Sequence, residues 1–298
     1  MFNQRPSLLS VIIPITDLEN RIEFLRKWVG LVPPEIELVM VYDLNPCDNG
    51  SALFEEVTSI HENTIFTHGH FDGPGTARNV GLTLATAPFV SFWDSDDIPD
   101  LSSQLRMLNL ILNSNCDVII GGYSRRNLVT GLVKIKSPRP KTWETDVALE
   151  VGIWRMLFRK SFLQGVKFPD LRLAEDQVFF LRALESSPRV CTFSESVYVY
   201  TCNSGIQLTS ERNIRIVDLK LALESYPWKN TTNSQAFKSL IRMMHAKLLI
   251  SYCRRVKFWQ IPIHLPTISS HFLSLIFFEK LKAREFLTIL LALVKGLI

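Results

Sequence analysis

Three carboxylates, Asp94, Asp96 and Asp97, stand where an apolar run ends in FVSFWDSDDIPD, residues 89–100, with Asp100 closing the stretch. A strand that has just been buried has no packing use for them, so they either open the next helix or hold a positive charge. Aspartate is a favoured helix cap, and Asp97 or Asp100 before LSSQLRML can take that part. Asp94, beside Trp93 at the end of the run, is not explained that way. Carboxylates at i and i+2 point the same way in extended chain, and their repulsion needs an offset. A hard divalent cation supplies one, because Mg²⁺ or Mn²⁺ is held by one or two carboxylates while substrate phosphate oxygens complete the shell. Asp96 and Asp94 are therefore the expected metal ligands.

The glycine loop DGPGTARN adds a second feature. Thr76 reads as a helix N-cap, which puts Arg78 in the first turn, where a cation opposes the helix dipole. That placement makes sense if an anion binds there; otherwise Arg78 is a tolerated surface residue. Farther along, LAEDQVFFLRAL carries Glu175 and Asp176 at the start of an amphipathic helix. An acidic pair complementing the dipole accounts for Glu175 more readily than for Asp176.

These residues need a frame, and the pattern predicts one. LLSVIIPI (Leu8–Ile15) and IELVMVY (Ile36–Tyr42) are apolar, β-branched runs of the kind buried on both faces. ENRIEFLRKWVG between them has helical spacing and ends at Gly30. A helix over Ala52–Ile60, a strand at Thr64–Thr67, a helix opening at Thr76, the strand FVSFW, the helix LSSQLRMLNLILN and the strand CDVIIGG follow. Strands alternating with helices predict an α/β fold with a parallel, right-handed sheet. Ligands on such sheets bind at the C-terminal strand ends, where Asp43 and Asp94–Asp97 both fall. The glycine patterns of dinucleotide and P-loop sites are missing.

Composition narrows the class. The chain of 298 residues is 47% hydrophobic and 21% charged, with no low-complexity tract or repeat, as expected of a foldable globular protein. The first residues read as a strand rather than a signal peptide. The five cysteines show no CxxC spacing and read as reduced thiols of a cytoplasmic protein. His68 and His70 alternate as metal ligands can, but no Cys or carboxylate cluster joins them, so they read as polar loop. The net charge of +4 hides an asymmetry: ten Lys or Arg against Glu279 and Glu285 give +8 from Lys238 onward and −4 before it. The segment His271–Ile298 contains two apolar runs around EKLKARE, each too short to cross a bilayer. It reads either as a helical hairpin packed on the rest or as a basic, apolar surface lying on the cytoplasmic face of a membrane.

Taken in order, the apolar first strand, Asp43 after the second, GPGTARNVGL and FWDSDD resemble the family-2 glycosyltransferases of GT-A fold. The resemblance covers roughly the first 125 residues. It implies a nucleotide-sugar donor, most readily a UDP-sugar, bound with Mn²⁺ or Mg²⁺. It also implies inversion at the anomeric carbon, with a saccharide or lipid-linked saccharide as acceptor and no nucleic-acid partner. Carried onto this chain, Asp43, Arg78, Asn79, Asp94 and Asp96 are donor-binding, and Asp176 is the general base. The segment WRMLFRKSFLQGVKFPD resembles the family's acceptor side, so Trp154 and Glu175 are expected there. The expected organisation is a GT-A catalytic domain over 1–204, divided into a donor half (1–125) and an acceptor half (126–204), with a helical extension over 205–298. The chain departs from the family at VYDLNPCDNGS, where Tyr42 replaces an Asp of the common VDDGSxDGS. It also lacks the QxxRW motif and membrane spans of processive synthases. A nucleotidyltransferase, which releases pyrophosphate, and an inactive binding module are the alternatives.

Overall fold

The computed structural model describes residues 6–16, 18–43, 55–56, 59–202, 216–225 and 237–277. The expected helix over Ala52–Ile60 and the final residues 278–298 lie wholly or largely outside that set, as does Cys47.

The first four long strands follow the predicted order. β1 (Leu9–Ile15) pairs in parallel with β2 (Ile36–Asp43), which pairs in parallel with β3 (Thr64–Gly69). On its other side β1 takes β4 (Phe89–Phe92), also in parallel. Helix α1 (Leu18–Arg26) links β1 to β2, and α2 (Pro74–Leu84) links β3 to β4. A two-residue β5 (Ile98–Pro99) and helix α3 (Leu101–Leu112) lead to the long β6 (Val118–Asn127). The chain continues through β7 (Val133–Lys136), α4 (Trp143–Leu149), β8 (Met156–Arg159), α5 (Glu175–Leu184) and β9 (Val190–Cys202). Helices α6 (Ile216–Glu224), α7 (Lys238–Cys253) and α8 (Ile261–Phe277) follow.

Among the described residues the strands form one sheet in the order β3-β2-β1-β4-β8-β6-β9-β5, with β7 on the free half of β6. β8 runs antiparallel to both β4 and β6, so the sheet is mixed though mostly parallel. This is the Rossmann-like, mostly parallel sheet expected of the fold; the βαβ periodicity itself ends at β4, and MLFRK is too short a run to declare its direction.

Alternation along each strand sends side chains to two cores. Ile12, Val39, Val41, Val90, Phe92, Val118 and Ile120 face one side, and Val11, Ile13, Leu38, Met40, Phe89 and Ile119 face the other. The second face is covered by α1 through Leu18, Ile22 and Leu25 and by α3 through Met107, Leu108 and Ile111. The first is covered by α2, α4 and α5. Helices α6, α7 and α8 join that same cluster through Leu219, Leu240, Met244, Leu249 and Leu275, so they complete the core already present. Gly81 lets α2 approach the sheet closely: a Cβ there would run into Ile12.

One cysteine expectation is corrected. Cys116 and Cys191 are joined by a disulfide, with Cα atoms 6.0 Å apart. The pairing of β6 with β9 brings the two together, and a separation of 75 residues carries no local signal of it. Cys202 and Cys253 are free and buried.

The choice between Asp97 and Asp100 as helix cap falls to Asp100. Its carboxylate accepts from the Ser103 amide at 2.9 Å and the Ser102 hydroxyl at 2.8 Å. Although partial burial opposes the charge, these bonds hold its pKa below the usual carboxylate range. The stabilisation is present above the unfolded pKa of about 3.9 and is lost as pH falls through the lower folded value. Asp100→Ala should therefore cost about 1 kcal/mol at pH 7. Urea titrations should show that difference shrinking below about pH 4, and an equal penalty at pH 3 and pH 7 would assign it to something other than the cap.

Candidate active site

A cavity of about 660 Å³ opens at the C-terminal ends of β1, β2 and β4. Asp43, Arg78, Asp94, Asp96, Glu175, Asp176 and Trp154 all line it, so seven of the eight residues singled out from sequence meet in one place. The eighth, Asn79, does not line it. Its side-chain amide accepts from the Phe168 amide at 2.8 Å and donates to the Phe168 carbonyl at 3.0 Å, fixing the loop before α5.

The centre of the site is Arg78. Helix α2 begins at Pro74 after Gly73, whose φ of 133° favours glycine, so the cap lies at Gly73 rather than at Thr76. Proline's fixed φ suits the first helical position and explains the shift. Arg78 consequently sits in the second turn, buried, and its guanidinium is already committed. It donates to Asp94 at 2.8 Å and to Glu175 at 2.8 Å, joining the exit of β4 to the start of α5. Burial opposes the guanidinium charge, but Asp94 and Glu175 outweigh it and raise the Arg78 pKa. Burial and the charge of Asp176 push Glu175 up to about 7, against the pull of Arg78.

The acidic exit divides its work. Asp96 pairs with Arg21 of α1 at 3.0 Å. Burial and the neighbouring Asp94 charge raise its pKa, with Arg21 opposing them. Asp97 turns inward, where Oδ1 accepts from the Thr201 amide of β9 at 2.7 Å and Oδ2 has no partner. Burial, then Asp96 and Asp94, push it well above the carboxylate range. The Asp94 amide donates to the Tyr198 hydroxyl at 2.8 Å, a second tie from this loop to β9. Asp43 accepts from the Phe71 amide at 3.0 Å.

Asp94 and Asp96 are oxygen-only donors, each with one oxygen engaged by an arginine. That chemistry fits a hard divalent ion completed by diphosphate oxygens, and the mutual repulsion raising Asp96 is what such an ion relieves. Among the described residues no group of three His, Cys, Asp or Glu side chains is arranged to hold a metal, His68 and His70 included.

Asp176 follows Ala174, a non-glycine residue at φ 63° that caps α5. That left-handed geometry costs about 1–2 kcal/mol and aims the first turn of α5 into the cavity. Asp176 accepts from the Gln177 amide at 2.8 Å. Burial raises its pKa, with Arg78 and Lys247 pulling the other way. Trp154 is set by Gly152 at φ 52° and stacks on Tyr198 and Tyr200, with ring centroids at 4.8 and 5.4 Å.

The model of the family Glycosyl transferase family 2 matches residues 10–168. The chain belongs to glycosyl transferase family 2. Two curated relatives are the uncharacterized glycosyltransferase EpsJ of Bacillus subtilis and the poly(ribitol-phosphate) beta-glucosyltransferase of Bacillus spizizenii. The first is 24% identical over 66% of this chain and 61% of its own length, the second 26% over 64% and 32%. The chain thus spans about a third to three-fifths of those proteins. A crystal structure of Staphylococcus aureus TarS 1-349 in complex with UDP-GlcNAc superposes with a TM-score of 0.71 at 19% identity, covering 97% of this chain and 88% of that one. A mannosyltransferase of Pyrobaculum calidifontis, in complex with GDP-Man and Mn²⁺, gives 0.58 at 14% identity, covering 100% and 90%. The shared fold is GT-A.

Several residues of this family-2 site were not singled out from sequence. Arg21 lies on an amphipathic helix among other charges, and nothing local marks it. Tyr198 lies within VYVY (197–200), a stretch that resembles the family's acceptor side, but it was not singled out there. Lys247 had a signal, a lone cation among buried residues in MMHAKLLISYC, and α7 carries it into the cavity wall.

Arg78→Met should leave Glu175 buried, and Asp94 partly buried, without their cation, at a cost of about 3–5 kcal/mol. Arg78→Lys should recover only part, since one ammonium cannot span both carboxylates in the fork geometry. Urea unfolding measures both, and a Met variant within 1 kcal/mol of the parent would show the bridge to be dispensable.

Proposed function

We propose that the chain transfers a sugar from a nucleoside-diphosphate donor, a UDP-sugar in the first instance, to a hydroxyl acceptor with inversion, in the assembly of a surface polysaccharide or glycolipid. The observation that carries this reading is the meeting, in one cavity at the strand ends, of Asp94 and Asp96 from one exit with Asp176 from a helix begun eighty residues later. The TarS complex with UDP-GlcNAc and the poly(ribitol-phosphate) relatives support the donor class and a polymer acceptor.

In this mechanism Asp43 and the glycine loop receive the nucleoside. Asp94 and Asp96 would hold Mn²⁺ or Mg²⁺. When bound, such an ion supplies Lewis-acid neutralisation of the departing diphosphate, worth several kcal/mol. Asp176 takes the proton of the acceptor hydroxyl as that oxygen attacks the anomeric carbon from the face opposite the leaving group. Its raised pKa suits a base, and Arg78 and Lys247 keep it from rising further. A single displacement inverts the centre.

The two kinds of carboxylate should separate on mutation. Asp96→Asn should abolish most divalent-dependent donor binding in calorimetric titration. Asp176→Asn should keep that affinity and lose at least about 10²-fold in turnover. Donor binding by Asp96→Asn that still responds to Mn²⁺, or near-normal turnover by Asp176→Asn, would reassign the residue concerned.

The reading also puts the enzyme on an anionic membrane surface. Among the described residues no helix is long and apolar enough to cross a membrane. The start of α8 and the turn before it instead expose Trp259 (70%), Ile263 (76%) and Leu265 (53%), with Arg254 and Lys257 exposed alongside. Apolar side chains can enter the interface there, with each nearby cation adding about 1 kcal/mol. The protein should sediment with phosphatidylserine vesicles and release in high salt. Trp259→Ser with Ile263→Ser should lose that binding. A double variant that sediments like the parent refutes this surface.

A further inference from the structure

The far wall of the cavity is cationic in a way that the donor does not require. Arg125 of β6, Arg172 before α5 and Lys247 of α7 line it together with Glu150. Arg125 and Arg172 have no carboxylate within ion-pair distance among the described residues. Glu150 is one carboxylate shared among several cations: its Oε2 accepts from Lys136 at 2.8 Å and from the Tyr123 hydroxyl, and its charge also acts on Arg125 and Lys247. Lys247 is half-buried in the same wall; burial lowers its pKa, and Asp176 and Glu150 pull it back toward the charged form.

Sheet register separates this wall from the metal motif. Ser91 of β4, Leu157 of β8 and Ile119 of β6 stand side by side across three strands. Asp94 lies three residues past Ser91, and Arg125 lies six past Ile119 on a strand running the same way. Arg125 is therefore about 10 Å farther along the strands and about 10 Å across them from Asp94. Arg125 thus stands toward Glu150 and Tyr200, on the side of the cavity away from the metal motif.

We infer that Arg125 and Lys247 form an anion subsite for a phosphate ester carried by the acceptor, next to the hydroxyl that Asp176 deprotonates. This rests on the glycosyl-transfer reading for the identity of the bound molecule. Arginine and lysine are the side chains suited to phosphate, Arg125 through its fork and Lys247 as a point charge. The phosphate can come from a polyol-phosphate chain or from a lipid-linked diphosphate, and the chemistry of the wall is the same for both.

The test is calorimetric titration of the whole protein, saturated with UDP and Mg²⁺, with glycerophosphoglycerol, geranyl diphosphate and glycerol as probes. At least one phosphate probe should bind at least about tenfold tighter than glycerol. Preference for the diester points to a polyol-phosphate source, and preference for the diphosphate to a lipid-linked one. Arg125→Gln, at an exposed position, and Lys247→Met should each weaken that binding about tenfold or more with UDP affinity unchanged. Competition between UDP and the phosphate probes would assign these cations to the donor and overturn the inference, as would undiminished binding by Arg125→Gln. A protein that binds the phosphate probe but no UDP would overturn the donor reading and leave the subsite standing.

Discussion

A guanidinium buried between two carboxylates organises this molecule. Arg78 reaches Asp94 at the end of a strand and Glu175 at the start of a helix, so the exit of β4 and the first turn of α5 are held by one side chain. Burial drives Glu175 toward its neutral form, and the cation would not remain buried without the two carboxylates. Desolvation of all three is costly, and their attraction offsets it only while the geometry is kept. The bridge thereby makes the spacing of Asp94 and Asp176 a property of the core.

The same logic extends outward. Asp96 has Arg21, Glu150 has Lys136, and Asp97, which has no cation, is held by a backbone amide and driven toward its neutral form. A cavity lined by six acidic side chains is thus kept from flying apart by cations placed one behind another. The apolar parts do the placing: Phe92, Phe158, Phe168 and Phe179 pack edge to face or stacked beneath the site, and the Phe168 backbone is held by Asn79.

Much of this was legible in the residues. The strands through Phe92 declared themselves because burial on both faces leaves an unbroken apolar run, and the strand exits then located Asp43, Asp94 and Asp96. Other features were hidden for definite reasons. Arg78 read as a cation awaiting a bound anion, and its carboxylate partner Glu175 stayed hidden because it is 97 residues away, a distance no local pattern reports. Asp97 and Asp100 are chemically alike, and only the course of β9 past Asp97 decides between them. The Cys116–Cys191 disulfide depends on the register of β6 with β9, which the spacing of the cysteines does not encode. The reversed direction of β8 was hidden by its length of four residues.

The distance in sequence across the Arg78 bridge also sets a clock on biosynthesis. A ribosome adding about 5–20 residues each second needs about 5–20 s to pass from Arg78 to Glu175. For most of that interval, from the completion of β4 until β8 is made, the edge of β4 is open, and Arg78 has only Asp94 for a partner until Glu175 arrives. An uncovered edge strand beside an apolar face invites pairing with other chains. The interval between these two residues is therefore the period in which this protein most needs a chaperone.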